Sequence, residues 1–217
     1  MNELNPQDFI ITRKRKKYRF ALFYNNPLCF ELDDWQTEFV PTIVEVGAGT
    51  GTFSVALSGR TPNERYLAVD VKADRLQTGA ELANEQKLTN IRFLRARVEQ
   101  LDRVVKAHSL GAIWITFPDP FFKDRSSKHR LTHPKYLELY SRLLKPGCRI
   151  HFKTDAVALF DWSLEQLADA GWKIRTLSFD LHRSTASDVA KTTTPYEMRY
   201  IGEGKRICYV EAEPPSL

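Results

Sequence analysis

Thr42-Ile43-Val44-Glu45-Val46-Gly47-Ala48-Gly49-Thr50-Gly51-Thr52-Phe53 decides how the rest of this chain is read. Ile43 to Val46 is rich in β-branched residues and predicts a strand. Three glycines follow at alternate positions, where the backbone can turn sharply and a ligand meets no Cβ. A helix is predicted from Phe53, capped by Thr50 or Thr52. Strand, glycine turn and helix in that order open a nucleotide-binding α/β unit. The spacing is G-x-G-x-G, not the G-x-G-x-x-G of dinucleotide binders.

Outward from this stretch the pattern repeats. Residues 66–70, 91–94, 112–116 and 149–153 read as further strands, followed by helices at 73–87, 99–107, 134–144 and 159–170. The run 112–116 is almost continuously apolar, as expected of a strand buried on both faces. Five strand–helix units in succession predict a parallel sheet with right-handed crossovers and helices on both faces. Two more strands, 173–179 and 206–213, have no helical pattern between them, so an antiparallel edge is expected. Residues 1–20 read as a flexible polar arm and the next twenty as an irregular lead-in. The expected division is therefore 1–40, arm and lead-in, and 41–217, one α/β domain.

Composition narrows the class. The chain has 217 residues, 42% hydrophobic and 27% charged, a soluble globular balance long enough to bury a core. Three cysteines, Cys29, Cys148 and Cys208, are far apart and form no C-x-x-C pair, which points to reduced thiols rather than a disulfide framework. The start lacks a signal-peptide apolar stretch and no run is long enough to span a bilayer, so a cytoplasmic protein without membrane contact is expected. Net charge is +5, and six of the seven residues from Arg13 to Arg19 are Lys or Arg. Such a block attracts phosphates and releases their counterions. The five histidines show no metal-ligand spacing, so no metal is expected; His129, inside a basic loop, is the one to follow.

In open α/β sheets, functional groups gather at the carboxyl ends of the strands. That rule selects Glu45 to Gly51, Asp70, Arg95 to Val98, Thr116 to Lys123, and Thr154-Asp155. Gly47, Gly49 and Gly51 form the turn against a ligand. Asp70 ends the second strand, where a carboxylate accepts hydrogen bonds from ribose hydroxyls. Glu45 stands just before the first glycine, where it would repel a pyrophosphate but suits the cationic amino-acid end or sulfonium of S-adenosylmethionine. The other reading of Glu45 is a bond to the backbone near the turn. The fourth strand runs into Phe117-Pro118-Asp119-Pro120-Phe121-Phe122-Lys123, where two prolines stiffen the backbone around one carboxylate. Lys123, Arg125, Lys128 and Arg130 then place four permanent cations within eight residues, suited to gripping phosphates.

These residues resemble the bacterial tRNA (guanine-N7)-methyltransferase family. The resemblance runs from about Ile43 to Val210 and lies in Glu45 to Gly51, Phe117 to Lys123, Lys128-His129-Arg130, His151-Phe152-Lys153-Thr154-Asp155 and Thr194-Pro195-Tyr196-Glu197. It implies a Rossmann-like class I methyltransferase fold, an α/β sheet of seven mostly parallel strands with an antiparallel edge strand. It implies that Glu45, Asp70, Arg97, Val98 and Asp119 lie at the S-adenosylmethionine site. Lys123, Asp155, Thr194, Tyr196 and Glu197 would contact tRNA, with 7-methylguanosine at position 46 of the variable loop as product. No obligate protein partner is expected, and the chain would be a monomer or homodimer. Four positions depart from the family pattern: Asp70 for Glu, Arg97 where an acidic residue meets the adenine, Phe121 for Trp, and Pro195 for Lys.

Guanine N7 carries an exposed lone pair and no proton, so its methylation needs no prior general base. Positioning does most of the work, and a fixed carboxylate favours the charge that develops on the base. Asp119 is the catalytic candidate, with Asp155 or Glu197 as alternatives for holding the guanine. The rival readings are a nicotinamide-dependent oxidoreductase, a non-catalytic RNA-binding protein on the same scaffold, and a methyltransferase for protein or DNA amino groups. The oxidoreductase leaves the basic loop unexplained and finds no Tyr-x-x-x-Lys pattern here.

Overall fold

The computed structural model describes residues 14–35 and 38–215, with side chains from residue 17 onward. Eight strands form one sheet: β1 (Cys29–Glu31), β2 (Ile43–Val46), β3 (Tyr66–Asp70), β4 (Ile91–Arg95), β5 (Leu110–Thr116), β6 (Leu144–Thr154), β7 (Lys173–Ser178) and β8 (Cys208–Glu213). Their order is β1-β4-β3-β2-β5-β6-β8-β7. β8 runs antiparallel to both β6 and β7, and every other pair is parallel. Chain progression reverses between β2 and β5, and a crevice opens at the carboxyl ends of these strands. The helices are α1 (Lys14–Asn25), α2 (Thr52–Arg60), α3 (Ala73–Glu85), α4 (Pro134–Leu143), α5 (Val157–Asp169) and α6 (Pro195–Gly202).

Strand side chains alternate between two cores. Val44, Val46, Ile113, Ile115, Ile150 and Phe152 pack with Tyr140 and Leu143 of α4 and Phe160 of α5. Ala68, Trp114 and Tyr209 point the other way, toward Phe53 of α2, Leu76 and Ala80 of α3, and Phe23 of α1. Glu45, Thr116 and Lys153 occupy this second face as buried polar groups among apolar neighbours.

Three expectations change. The stretch read as flexible arm and irregular lead-in contains α1 and β1, because Ala21 and Phe23 are buried and β1 pairs with β4 as an eighth strand. Complete burial of one Phe is worth roughly 1.5–3 kcal/mol, enough to hold a short helix to α3. Arg19 belongs to that packing, donating to the Asp74 carbonyl at 3.5 Å. The side chains of Arg13 to Lys16 lie outside the described residues. Next, the helix expected at 99–107 is a short 3₁₀ helix, Val98–Arg103. Its buried residues, Val98 and Leu101, are three apart, the repeat of a 3₁₀ turn. Finally, α6 lies between the last two strands. Its buried residues are Glu197 and Tyr200, so it has almost no apolar pattern to read.

Candidate active site

At the carboxyl ends of β2 to β5 lies a cavity of about 950 Å³. Its walls come from the β2–α2 turn, the ends of β3, β4 and β5, His129 and Leu131, and the start of α6. Of the residues singled out in the sequence, Glu45, Gly47, Gly49, Asp70, Arg97, Val98, Asp119, Thr194 and Tyr196 line it.

One end is built by the glycine turn. Gly49 has φ +58°, and a Cβ there would meet nothing within 4 Å, so its backbone stands open. Asp70 accepts from the Gly49 and Lys72 amides, both at 2.9 Å, and so braces the turn from the neighbouring strand. Gly51 is different. Its φ of +69° starts α2, and a Cβ would come within 2.7 Å of Phe93, so this glycine serves packing rather than the cavity. Glu45 is buried, accepting from the Ser54 amide at 3.2 Å, the Ser54 hydroxyl at 2.6 Å and the Thr116 hydroxyl at 2.6 Å. Burial pushes its carboxyl above the ordinary range, opposed by those hydrogen bonds and by the Lys153 charge. Glu45 thus binds the backbone near the turn, and it also lines the cavity. Val98 is buried against this end and Arg97 is exposed beside it.

The other end is built around the β5 exit. Phe117 and Phe121 have φ of +47° and +42°, left-handed values that cost a bulky residue of order 1–3 kcal/mol each and persist only when neighbours enforce them. Between them Pro118 is buried and Asp119 is exposed to the cavity, with no side-chain partner among the described residues. His129, beside the Phe121 ring at 5.6 Å between centroids, lines the cavity with Leu131 and Tyr136. Tyr196 lies edge-on to Phe117 with ring centroids 5.8 Å apart, and its hydroxyl bonds to that of Tyr200. Thr194 caps α6, accepting from the Glu197 amide at 3.0 Å.

The remaining candidates are not brought into the cavity. Lys123, just before a short 3₁₀ helix, and Arg125 and Lys128 on it are exposed outside the cavity, as suits phosphate contact from a rim. Arg130 is the exception among the four cations, 7% exposed and bonded to the Phe121 carbonyl. Asp155 lies outside and pairs with Lys205 at 3.4 Å. Glu197 is also corrected. It is fully buried between Lys153 at 2.7 Å and His182 at 2.9 Å, with no face toward the cavity. Lys153, equally buried, also donates to the Thr192 carbonyl at 2.9 Å and so seats the segment before α6. Lys153 had no role in the sequence-based expectation: its strand also carries Lys145, Arg149 and His151, so nothing local set it apart. Leu131 and Tyr136 carried none.

Fold and site together define a Rossmann-like methyltransferase. The sequence pattern of the family described as "Putative methyltransferase" matches residues 40–210. Similar solved structures include the 16S rRNA methyltransferase KamB, 17% identical with a TM-score of 0.61 over 82% of this chain and 90% of that one. Another is a mutant of the 16S rRNA (adenine(1408)-N(1))-methyltransferase with cosubstrate SAM from Catenulisporales acidiphilia, 13% identical, TM-score 0.54, covering 99% and 93%. At these identities they establish the fold.

Closer relatives carry the name tRNA (guanine-N(7)-)-methyltransferase, and this chain belongs to that family. The Clostridioides difficile (strain 630) protein is 38% identical over 80% of each chain. The Christiangramia forsetii protein is 34% identical over 83% of this chain and 84% of its own. The Brevibacillus brevis protein is 33% identical over 89% and 91%.

Proposed function

We propose that this protein methylates N7 of a guanine in tRNA, with position 46 of the variable loop as the target. The observation that carries the reading is Asp119: a carboxylate on a strained turn, without a side-chain partner among the described residues, in the same cavity as Glu45, Gly49 and Asp70. The cavity fits S-adenosylmethionine, because Gly49 is open and two carboxylates suit a cationic amino-acid end and ribose hydroxyls. When bound, that group supplies an electrophilic methyl. Glu45 and Asp70 would hold it, and Val98 would pack against its adenine.

The chain's own contribution is placement and charge. Phe117 and Tyr196 offer aromatic surface to the incoming base, and guanine N7 presents its lone pair without losing a proton. The base turns cationic as it accepts the methyl, and the fixed Asp119 carboxylate is more favourable to that state than to the neutral base. Lys123, Arg125 and Lys128 take phosphates at the rim, and the basic block at 13–19 adds affinity. Membership of this family leaves the oxidoreductase, RNA-binding and amino-group readings without support. Among the described residues no helix is long and apolar enough to cross a membrane. The reading places the protein in the cytoplasm, as a monomer or homodimer with no obligate partner.

The test uses labelled S-adenosylmethionine and unmodified tRNA, with the product mapped by borohydride–aniline cleavage. Asp119→Ala should still show a thermal shift with S-adenosylmethionine while methyl transfer falls about 100-fold or more. Near-normal turnover would remove Asp119 from the chemistry. Wild-type protein giving no cleavage at guanine would overturn the function.

A further inference from the structure

We propose that Arg130 is a positioning residue, which holds the turn 117–121, and with it Asp119, in place for methyl transfer. This rests on the function proposed above. In sequence Arg130 closes a run of cations and reads as one more phosphate ligand. The structure separates it from them: Lys123, Arg125 and Lys128 are exposed, whereas Arg130 is 7% exposed. Its neighbours His129 and Leu131 line the cavity while the guanidinium between them turns to the back. There Nε and Nη2 both donate to the Phe121 carbonyl, at 3.3 and 3.0 Å. The guanidinium also lies over the Trp162 ring of α5, 4.5 Å from its centroid.

Each part of this contact has a purpose. The turn carries two residues in left-handed conformations, Phe117 and Phe121, which relax unless something restrains them. A planar fork gives two bonds to one oxygen while its face stays stacked on the indole; an ammonium cannot do both. Arg130 thereby ties two walls of the cavity together, the one bearing His129 and the one bearing Asp119. A displacement of about 1 Å in a reacting group costs on the order of 100-fold in rate.

The experiment compares Arg130→Lys and Arg130→Met with wild type. It measures kcat and KM for tRNA over a salt series, S-adenosylmethionine affinity, and amide exchange across 117–123. Both variants should lose about 100-fold in kcat with the salt slope and cofactor affinity of wild type, and exchange at 117–123 should quicken. The Lys variant keeps the charge, so its loss separates position from charge, and it decides the matter should the Met variant fail to fold. The proposal is overturned by wild-type kcat in Arg130→Lys. It is equally overturned by a raised KM with a slope flattened by about 1, the mark of a phosphate ligand. A wild type without N7 methylation would sink the function instead, while exchange at 117–123 still reports whether Arg130 holds the turn.

Discussion

Replacing Lys153 by Met should destabilise the protein by about 3–5 kcal/mol, because the buried Glu197 carboxylate loses its ammonium partner and keeps His182 alone. Both side chains are wholly inaccessible, at 2.7 Å from one another. The empirical cost of breaking a buried pair from one side is about 3–5 kcal/mol. The lost bond to the Thr192 carbonyl adds about 1 kcal/mol. Removing both charges together, as Lys153→Met with Glu197→Leu, should recover most of the loss, since the desolvation of each ion disappears with it. Urea unfolding of wild type, single and double variants measures all three, with constant slope as the check on two-state behaviour. A single variant within about 1 kcal/mol of wild type, or a double variant worse than the single, would refute the reasoning.

Two further predictions concern charge. Arg125→Ala and Lys128→Ala should each raise the KM for tRNA and lower the log–log salt slope by about 1; a slope equal to wild type would leave these cations without a phosphate. His151 lies stacked 4.1 Å from the Trp114 ring with Nδ1 2.9 Å from the Tyr209 hydroxyl, and burial pushes its imidazole down to about 4, partly offset by Glu211 and reinforced by Arg149. A base whose folded value lies below its unfolded value of about 6.5 stabilises the fold above pH 6.5 and loses that stability as pH falls toward 4. Between pH 7 and 5 the loss is at most about 2 kcal/mol, and His151→Phe should flatten it in urea titrations at each pH. A variant with the wild-type pH dependence would place the loss elsewhere.

The sequence by itself determined most of the sheet, the glycine turn and the end of the sheet where the cavity opens, because these depend on local chemistry. Ile43 to Gly51 can only be a strand running into a tight turn, and an apolar run such as 112–116 can only be buried on both faces. The carboxyl ends of those strands then fall together by topology, which is why Glu45, Gly49, Asp70, Val98 and Asp119 meet in one cavity. Elements held by long-range contacts were harder to read. β1 is three residues long and exists through pairing with β4, and α6 buries a glutamate rather than an apolar stripe.

Tertiary structure alone decided which charged residues face the cavity, solvent or a buried partner. Arg130 and Lys128 are two positions apart in a single basic run, yet one is buried on Trp162 and the other is exposed. Glu197 follows Tyr196 in one motif, yet one lies inside against Lys153 and the other lines the cavity. A charge in sequence carries no direction. Whether it meets water, a phosphate or a buried partner depends on the packing around it, and desolvation then sets whether the charge binds or braces.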